Sequence, residues 1–381
     1  MKILLVNLPL YGHVIPTIGL VQELIKLGCE VTYMLPHSWE KRIQSSGAKF
    51  HGYDDDQKFA PQLKNAYKAA DAIMADYDLL IYEGFFFMGK HLAEKHGKPA
   101  VKIFTTAAIN KPLVKLFLQK GHMSIFRFKW VARKFTREVA NGIPLKTDNW
   151  LDEVVENPQD MNLVYCLPEF QPYLAEFPQE HYLFLGPSVY DRQEEPFVFE
   201  KRRPIVYISL GSMLKGSRQF CRACFDALGQ EDVDVIMSSS RSFDKESVPS
   251  NFHIYSWVPQ VQVLVLADVF VTHGGMNSVS EALAAGVPMV VIPYGSDQPV
   301  NGHRVKNLGV GRVLNMKSIT RKTLKDMVLS TLADDTMKKR TKDVLDMIDR
   351  APGNKGGALA VMAYYDSKRS ITTRLASPPR L

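Results

Sequence analysis

Histidine, glycine and small polar residues stand together in the stretch VTHGGMNSVSEAL, which runs from Val271 to Leu283. An apolar run typical of a strand ends at His273, and Gly275 is the second of the two glycines that follow. Asn277 and Ser278 then begin a run with helical spacing. The N-terminus of a helix offers about half a positive charge and unpaired N–H groups, and glycines let a ligand approach that backbone closely. The stretch therefore indicates either a cradle for a phosphate group or an ordinary helix capped by Asn and Ser.

The loops on either side of this stretch carry side chains that suit the other parts of a nucleotide sugar. Upstream, SWVPQ contains Trp257, whose indole can stack on a planar base, and Gln260. Downstream, PYGSDQP contains Asp297 and Gln298, which can accept hydrogen bonds from sugar hydroxyls. Glu281, one turn into the helix, can do the same for a ribose. This order favours the phosphate cradle over a plain helix cap.

A second group of polar residues lies near the start of the chain, where LPLYGHVIP follows the first apolar run. Gly12 is the only glycine there, whereas a Rossmann dinucleotide site needs G-x-G-x-x-G, so nicotinamide and flavin binding are disfavoured. His13 begins a predicted helix, and Glu83 ends the apolar run DLLIYE. Taken singly, they are typical of a surface histidine and a solvated acid. Together they can form a general base and its orienting carboxylate.

Short apolar runs alternate with stretches of helical spacing along most of the chain, which predicts parallel strands joined by crossover helices. A turn-rich, charged segment at 186–204 interrupts the alternation and predicts a linker. At 381 residues the chain is long enough for two domains. We therefore expect an α/β protein of two doubly wound domains, with its ligands at the carboxyl ends of the strands.

Composition favours a cytoplasmic globular protein. No apolar run approaches the roughly 20 residues of a membrane-spanning helix, and the opening segment lacks a signal-peptide cleavage site. Four cysteines form no disulfide framework. Cys221 and Cys224 make a C-x-x-C motif, but they lie in a predicted helix with no second ligand pair, which favours packing over a metal or redox role.

The net charge of +7 is concentrated in the segment 111–137, which holds eight Lys and Arg, no Asp or Glu, and several aromatic residues. Three interpretations remain open: the wall of an acceptor pocket, a solvated basic face, or contact with an anionic membrane. A nucleic-acid partner is not expected. A run of three phenylalanines elsewhere is either core or part of an apolar pocket. The pocket candidates are Phe85, Phe86, Phe87, Phe126 and Trp130.

The stretch WVPQVQVLVLADVFVTHGGMNSVSEALAAGVPMVVIPYGSDQPVNGHRV resembles the donor-binding signature of the UDP-glycosyltransferase family, which includes bacterial macrolide and flavonoid glycosyltransferases. YGHVIP, SLGS and GNKGGALAVMAYY extend the likeness over nearly the whole chain. The resemblance implies a GT-B fold, with two Rossmann-like domains facing a central cleft and no metal. It implies an acceptor domain at 1–190, a donor domain at 204–350 and a helix at 351–366 that packs on the first domain. The tail at 367–381 is outside the likeness and is expected to be disordered.

The same resemblance implies roles for individual residues. Trp257 would stack on the base, whose edge the backbone of Val258 would recognise, and Glu281 would hold the ribose. Asp297 and Gln298 would grip the transferred sugar. The remaining donor-binding residues, most of them on the diphosphate, would be Gly211, Ser212, Gln260, His273, Gly275, Asn277 and Ser278.

The chemistry implied is an inverting transfer to a hydroxyl of a small apolar acceptor. His13 would deprotonate the acceptor, and Glu83, where family members usually carry Asp, would orient it. UDP-glucose is the expected co-substrate, with a dTDP-sugar as the alternative. Other readings are a lipid or cell-envelope glycosyltransferase, a nucleotide-sugar epimerase, or a noncatalytic binder of nucleotide sugars.

Overall fold

The computed structural model divides into two compact units. The first contains Met1–Gln119 and Met123–Tyr190 together with the C-terminal segment from Ala351, and the second contains Asp191–Arg350. The residues that the structure describes are 1–56, 58–119, 122–188, 190, 192, 194–211, 218–244 and 247–376. Both units are sheets with helices, so the predicted α/β class is confirmed.

The first unit is built on a seven-stranded sheet in the order β3-β2-β1-β4-β5-β6-β7, with every neighbouring pair parallel. The strands are β1 (Lys2–Val6), β2 (Glu30–Pro36), β3 (Lys49–Tyr53), β4 (Leu79–Glu83), β5 (Ala100–Phe104), β6 (Met161–Val164) and β7 (Tyr182–Phe184). The central strands β4 and β5 are buried along their whole length, as expected of apolar runs covered on both faces. The strand order reverses between β1 and β4, which is where doubly wound sheets bind ligands.

Seven helices precede the second unit among the described residues. They are α1 (Tyr11–Lys26), α2 (Glu40–Gln44), α3 (Phe59–Ile73), α4 (Gly89–Lys95), α5 (Lys111–Phe117), α6 (Lys129–Val139) and α7 (Trp150–Glu156). The first helix buries Val14, Ile15 and Ile18 in the core of the unit. Because α1 follows β1 after a loop of only four residues, 7–10, its first turn is fixed close to the end of that strand.

The second unit has a six-stranded parallel sheet in the order β10-β9-β8-β11-β12-β13. Its strands are β8 (Ile205–Ser209), β9 (Asp234–Ser238), β10 (Phe252–Tyr255), β11 (Val269–Thr272), β12 (Met289–Val291) and β13 (Gly311–Val313). Its helices are α8 (Arg218–Leu228), α9 (Gln260–Leu266), α10 (Met276–Ala284), α11 (Gln298–Asn307), α12 (Arg321–Leu332) and α13 (Asp335–Arg350). The order reverses between β8 and β11, so the loop after β11 lies at the ligand-binding point of this sheet.

Cys221 and Cys224 lie on the inward face of α8, in the hydrophobic core of the second unit. Their exposed fractions are 1% and 0%, and burial raises the pKa of both thiols. A thiol whose pKa is raised is a poor nucleophile and a poor metal ligand at neutral pH. The C-x-x-C motif is therefore packing, as its helical spacing predicted.

The C-terminal helix α14 (Gly353–Ala376) belongs to the first unit. It packs on α1 so closely that a Cβ on Gly19 would lie 2.1 Å from the side-chain amide nitrogen of Asn354. The sequence predicted a helix that ends at 366 and a disordered tail, whereas the helix continues to Ala376. One reason is an ion pair at 2.5 Å between Lys368 and Asp160, which the helical pattern alone could not reveal. Residues 377–381 lie outside the described part of the chain.

Candidate active site

In the first unit, His13 and Glu83 form a hydrogen-bonded pair. His13 lies in the first turn of α1, and Glu83 is the last residue of β4, the strand paired with β1. Nδ1 of His13 is 3.0 Å from Oε1 of Glu83, whose exposed fraction is 2%. Because a carboxylate only accepts hydrogen bonds, the hydrogen of this contact lies on Nδ1, and in the neutral imidazole Nε2 then carries the lone pair. The pair has the arrangement of a general base with its orienting group.

The environment of this pair holds it in place. The second oxygen of Glu83 accepts the backbone N–H of Phe85 at 2.8 Å. Thr105, at the end of β5, places its hydroxyl 3.3 Å from Nδ1 of His13. Asn7, at the end of β1, donates to the backbone oxygen of His13 at 3.0 Å. Sequence reasoning missed Asn7 and Thr105, although each is a polar residue directly after an apolar strand.

Among the three consecutive phenylalanines, Phe85 has its ring edge-on to His13, at 5.9 Å between centroids. Phe86 and Phe87 are 0% and 3% exposed, so their predicted place in an acceptor pocket is wrong and the core interpretation is correct. The chain turns tightly after β4, and the N–H of Phe86 donates to the backbone oxygen of Glu83 at 2.9 Å. This turn directs both rings to the interior.

The two aromatic candidates from the basic segment point in different directions. Phe126 packs edge-on against the buried ring of Trp150 at 5.2 Å and against Phe135 at the same distance. Trp130, in contrast, is 68% exposed. A shared role of these two residues in an acceptor pocket stays a prediction.

In the second unit, His273 follows β11 and is enclosed by glycine backbone. A Cβ on Gly211 would lie 2.6 Å from Cε1 of His273, and a Cβ on Gly275 would lie 2.5 Å from Nε2. Burial lowers the pKa of His273 to about 4, so the imidazole is neutral at pH 7. Its Nδ1 is buried and has no hydrogen-bond partner among the residues that the structure describes. His273 can thus contribute a hydrogen bond to a phosphate, but not a charge.

The first turn of α10 is not closed by a side chain. Gly275 is the N-cap residue, and no side chain caps the helix. Asn277 and Ser278 lie inside the first turn, two and three positions after the N-cap position that a capping side chain would occupy. The alternative of an ordinary Asn- or Ser-capped helix is therefore wrong, and the backbone N–H groups of this turn remain available to an anion.

The carboxylate of Glu281 is engaged on both oxygens. Gln260 donates to Oε2 at 2.7 Å and also approaches the hydroxyl of Ser278 at 3.3 Å. The hydroxyl of Tyr207 donates to the oxygen of the Gln260 amide at 3.2 Å. Arg192 forms an ion pair with Oε1. Sequence reasoning missed Arg192 because it lies in the irregular segment between the sheets, where no pattern singles it out.

The loop after β12 is held by its own predicted sugar-binding residues. The side-chain oxygen of Gln298 accepts the N–H groups of Tyr294 and Gly295 at 2.8 and 3.2 Å. Asp297 accepts a hydrogen bond from the amide of Asn301 at 2.7 Å. The same amide donates to the backbone oxygen of Gly274 at 2.9 Å, which links this loop to the loop after β11.

The remaining predicted donor residues are placed as follows. Trp257 is 62% exposed, so its indole face is accessible, while the side chain of Val258 is buried. Ser212 lies outside the described residues.

Among the described residues there is no group of three or more His, Cys, Asp or Glu side chains that could hold a metal ion. Within the same part of the chain, no helix is both long and apolar enough to cross a membrane.

Comparisons with known proteins agree with this geometry. Residues 192–350 match the family described as UDP-glucoronosyl and UDP-glucosyl transferase. The chain is 31% identical to the NDP-glycosyltransferase YjiC of Bacillus licheniformis, over 94% of this chain and 96% of that protein. It is 26% identical to the oleandomycin glycosyltransferase of Streptomyces antibioticus, over 97% of this chain and 92% of that protein.

Solved structures show the same fold. The crystal structure of CalG4, the calicheamicin glycosyltransferase, matches with a TM-score of 0.77 at 24% identity, over 95% of this chain and 98% of that one. The predicted GT-B fold is thereby confirmed. Because the similarity to YjiC extends along almost the whole chain, the protein belongs to the UDP-glycosyltransferase family and is a glycosyltransferase that uses a nucleotide-sugar co-substrate.

Proposed function

We propose that this enzyme transfers glucose from UDP-glucose to a hydroxyl group of a small, largely apolar acceptor, with inversion at the anomeric carbon. The observation that carries the proposal is the His13–Glu83 pair at the strand-order reversal of the first unit. A protein that only binds nucleotide sugars has no need of a base held in this way. The name of the oleandomycin glycosyltransferase supports a natural-product acceptor of macrolide type.

His13 acts as the general base of this reaction. Glu83 accepts the proton on Nδ1, so Nε2 takes the proton of the acceptor hydroxyl as that oxygen attacks the anomeric carbon. A new C–O bond forms on one face of the sugar while the bond to the diphosphate breaks on the other. UDP leaves with the bonding electron pair, and the carboxylate of Glu83 stabilises the imidazolium that has formed.

The second unit binds the donor and stabilises the leaving group. Negative charge grows on the diphosphate as the sugar leaves, and we propose that the N–H groups in the first turn of α10, which no side chain caps, bind that charge. His273 and Ser212 add hydrogen bonds to the diphosphate. Trp257 stacks on uracil, and Glu281 binds the ribose.

Specificity for the sugar comes from the loop after β12. Asp297 and Gln298 suit a fully hydroxylated hexose, which favours glucose over a deoxysugar. Binding of the hexose must leave the hydrogen bonds of Gln298 to Tyr294 and Gly295 intact, since they give this loop its shape.

The direct test incubates the purified chain with UDP-glucose and a panel of phenolic and macrolide acceptors. We expect UDP release that depends on the acceptor, a product heavier by one hexose, and a β-anomer from the α-linked donor by proton NMR. Parallel reactions with dTDP-glucose show whether the enzyme prefers uridine or thymidine in the donor. Conversion of the sugar without any acceptor would show an epimerase, and UDP binding without turnover on the whole panel would show a noncatalytic binder.

A further inference from the structure

The outward face of α6 combines a tryptophan with cations. Trp130, Lys134 and Arg137 follow one another at spacings of four and three residues, which places them on one side of the helix. All three are exposed, and Trp130 is 68% exposed. The opposite side is buried in the first unit through Ala132, Thr136 and Val139. The helix is thus anchored through its inward face, and its outward face is exposed to solvent.

The turn before α6 extends this face. Ile125 and Phe128 are 54% and 46% exposed, and the N–H of Phe128 bonds the oxygen of Ile125 at 3.3 Å. The guanidinium of Arg127 lies 4.8 Å from the centroid of the Phe128 ring. We name as the basic aromatic surface the residues Ile125, Phe128, Lys129, Trp130, Lys134 and Arg137.

The cations of this surface have no ion-pair partner among the residues that the structure describes. Within 111–137, Lys111 pairs with Glu156 and Arg133 pairs with Asp148. The other described cations of the segment form no ion pair with any described residue. They are Lys115, Arg127, Lys129, Lys134 and Arg137. Exposed cations beside large exposed apolar side chains suit a partner that is both anionic and apolar.

We infer that the basic aromatic surface docks on the surface of an anionic phospholipid membrane. The cations would meet the headgroups, while Trp130, Phe128 and Ile125 would enter the boundary between headgroups and acyl chains. A single-stranded nucleic acid fits less well, because an aliphatic side chain such as Ile125 adds to insertion into lipid but not to base stacking. Docking does not depend on the transferase reaction and can be tested without any acceptor.

The test is cosedimentation of the full chain with vesicles of phosphatidylcholine alone and vesicles that also contain phosphatidylglycerol. We expect binding to the anionic vesicles only, and a decrease as salt is added. Lys134→Gln should lower the partition coefficient about fivefold, the effect of one cation near an anionic surface. The matched control is Lys68→Gln, which removes an exposed cation from α3 of the same unit and should change binding little.

The apolar part of the surface has its own variant. Trp130→Ala keeps the net charge, so a decrease of several-fold in partitioning would show insertion of the indole and not charge attraction alone. Trp130 and Lys134 are both exposed. Thermal unfolding midpoints equal to that of the parent would confirm that Trp130→Ala and Lys134→Gln are folded. Equal binding by Trp130→Ala and the parent, equal losses for Lys134→Gln and Lys68→Gln, or absence of binding to anionic vesicles would overturn the inference. So would single-stranded RNA that binds the surface while vesicles do not.

Discussion

Glu83 lies with one carboxylate oxygen 3.0 Å from Nδ1 of His13 and the other 2.8 Å from the N–H of Phe85. The sequence resemblance led us to expect aspartate at this position, and the glutamate side chain, one methylene longer, meets the imidazole. The backbone N–H of Phe85 fixes the far oxygen, so the extra methylene does not add freedom at the near one.

For the base itself, we expect His13→Ala to lower the rate of transfer by about 10²–10⁴, the usual contribution of a general base. Affinity for UDP, measured by calorimetry, should be unchanged because the proposed nucleotide site lies in the second unit. His37→Ala, which removes an exposed histidine of the same unit, is the control. Turnover at the parental rate in His13→Ala would exclude the residue as the base.

The length of the Glu83 side chain is tested by conservative replacement. Glu83→Gln should reduce the rate of the chemical step strongly, because a neutral amide stabilises the imidazolium poorly. Glu83→Asp should keep part of the activity, since the carboxylate remains but withdraws by one methylene. Single-turnover kinetics separate this step from product release. Identical rates for all three side chains would mean that Glu83 only supports the fold.

The indole of Trp257 is expected to contribute about 1–3 kcal/mol to UDP binding, the range for an aromatic ring stacked on a base. Calorimetry with Trp257→Ala should show this loss. Trp130→Ala, which removes an equally exposed indole from the first unit, should bind UDP as the parent does. If Trp257→Ala bound UDP with unchanged affinity, the uracil ring would not stack on this indole.

A ribose role for Glu281 predicts discrimination at the 2′-hydroxyl. The parent should bind UDP roughly tenfold more tightly than 2′-deoxy-UDP, since a hydrogen bond to a charged group contributes about 1.5–3 kcal/mol at most. In Glu281→Ala the two affinities should become nearly equal. A preference that survives the substitution would show that another group reads the ribose, and the pair with Arg192 would then be purely structural.

Stability should depend on pH through Lys102, which is 2% exposed in β5 and donates to the oxygen of Val154 at 2.7 Å. Burial lowers the pKa of Lys102 to about 7, below its value in the unfolded chain. Above that pH, up to about 10.4, the unfolded chain holds a proton that the folded one lacks, so stability rises with pH.

The measurement is urea unfolding of the parent and Lys102→Met across this pH range. The free energy of unfolding of Lys102→Met should exceed that of the parent most strongly below pH 7. This difference should shrink by a few kcal/mol as the pH rises, because one unit of pKa difference corresponds to about 1.4 kcal/mol. Lys68→Met on the exposed face of α3 should follow the parent. Parallel curves for the parent and Lys102→Met would show that the buried amine is charged in the folded state.

The fold was predictable because strands buried on both faces are apolar throughout, and the helices between them keep their spacing. The same alternation of strands and helices predicted candidate site residues at the ends of the strands. That His13 and Glu83 touch depends on the pairing of β1 with β4, which the sequence does not encode locally. The contact of Arg192 with Glu281 spans 89 positions and has no pattern at all.

The aromatic residues show a different limit. Within α6, helical spacing separates the outward Trp130 from the inward Thr136, so the sequence contains that distinction. Phe86 lies in the loop after β4 and Phe126 in a short 3₁₀ helix, His122–Arg127, where the direction of a side chain depends on backbone angles that neighbouring residue types do not fix. The sequence therefore predicted one acceptor pocket from rings that differ in burial, the buried Phe86 and the exposed Trp130.

The amide of Asn301 joins the backbone of Gly274 to the carboxylate of Asp297. It couples the loop proposed to hold the diphosphate to the loop proposed to hold the sugar, so the two cannot be redesigned separately. A change of shape at residues 294–298, made to accept a different hexose, would shift the backbone of Gly274 in the loop proposed to hold the diphosphate. Laboratory evolution toward new sugar donors should therefore first lose affinity for the nucleotide and regain it through second substitutions around Asn301.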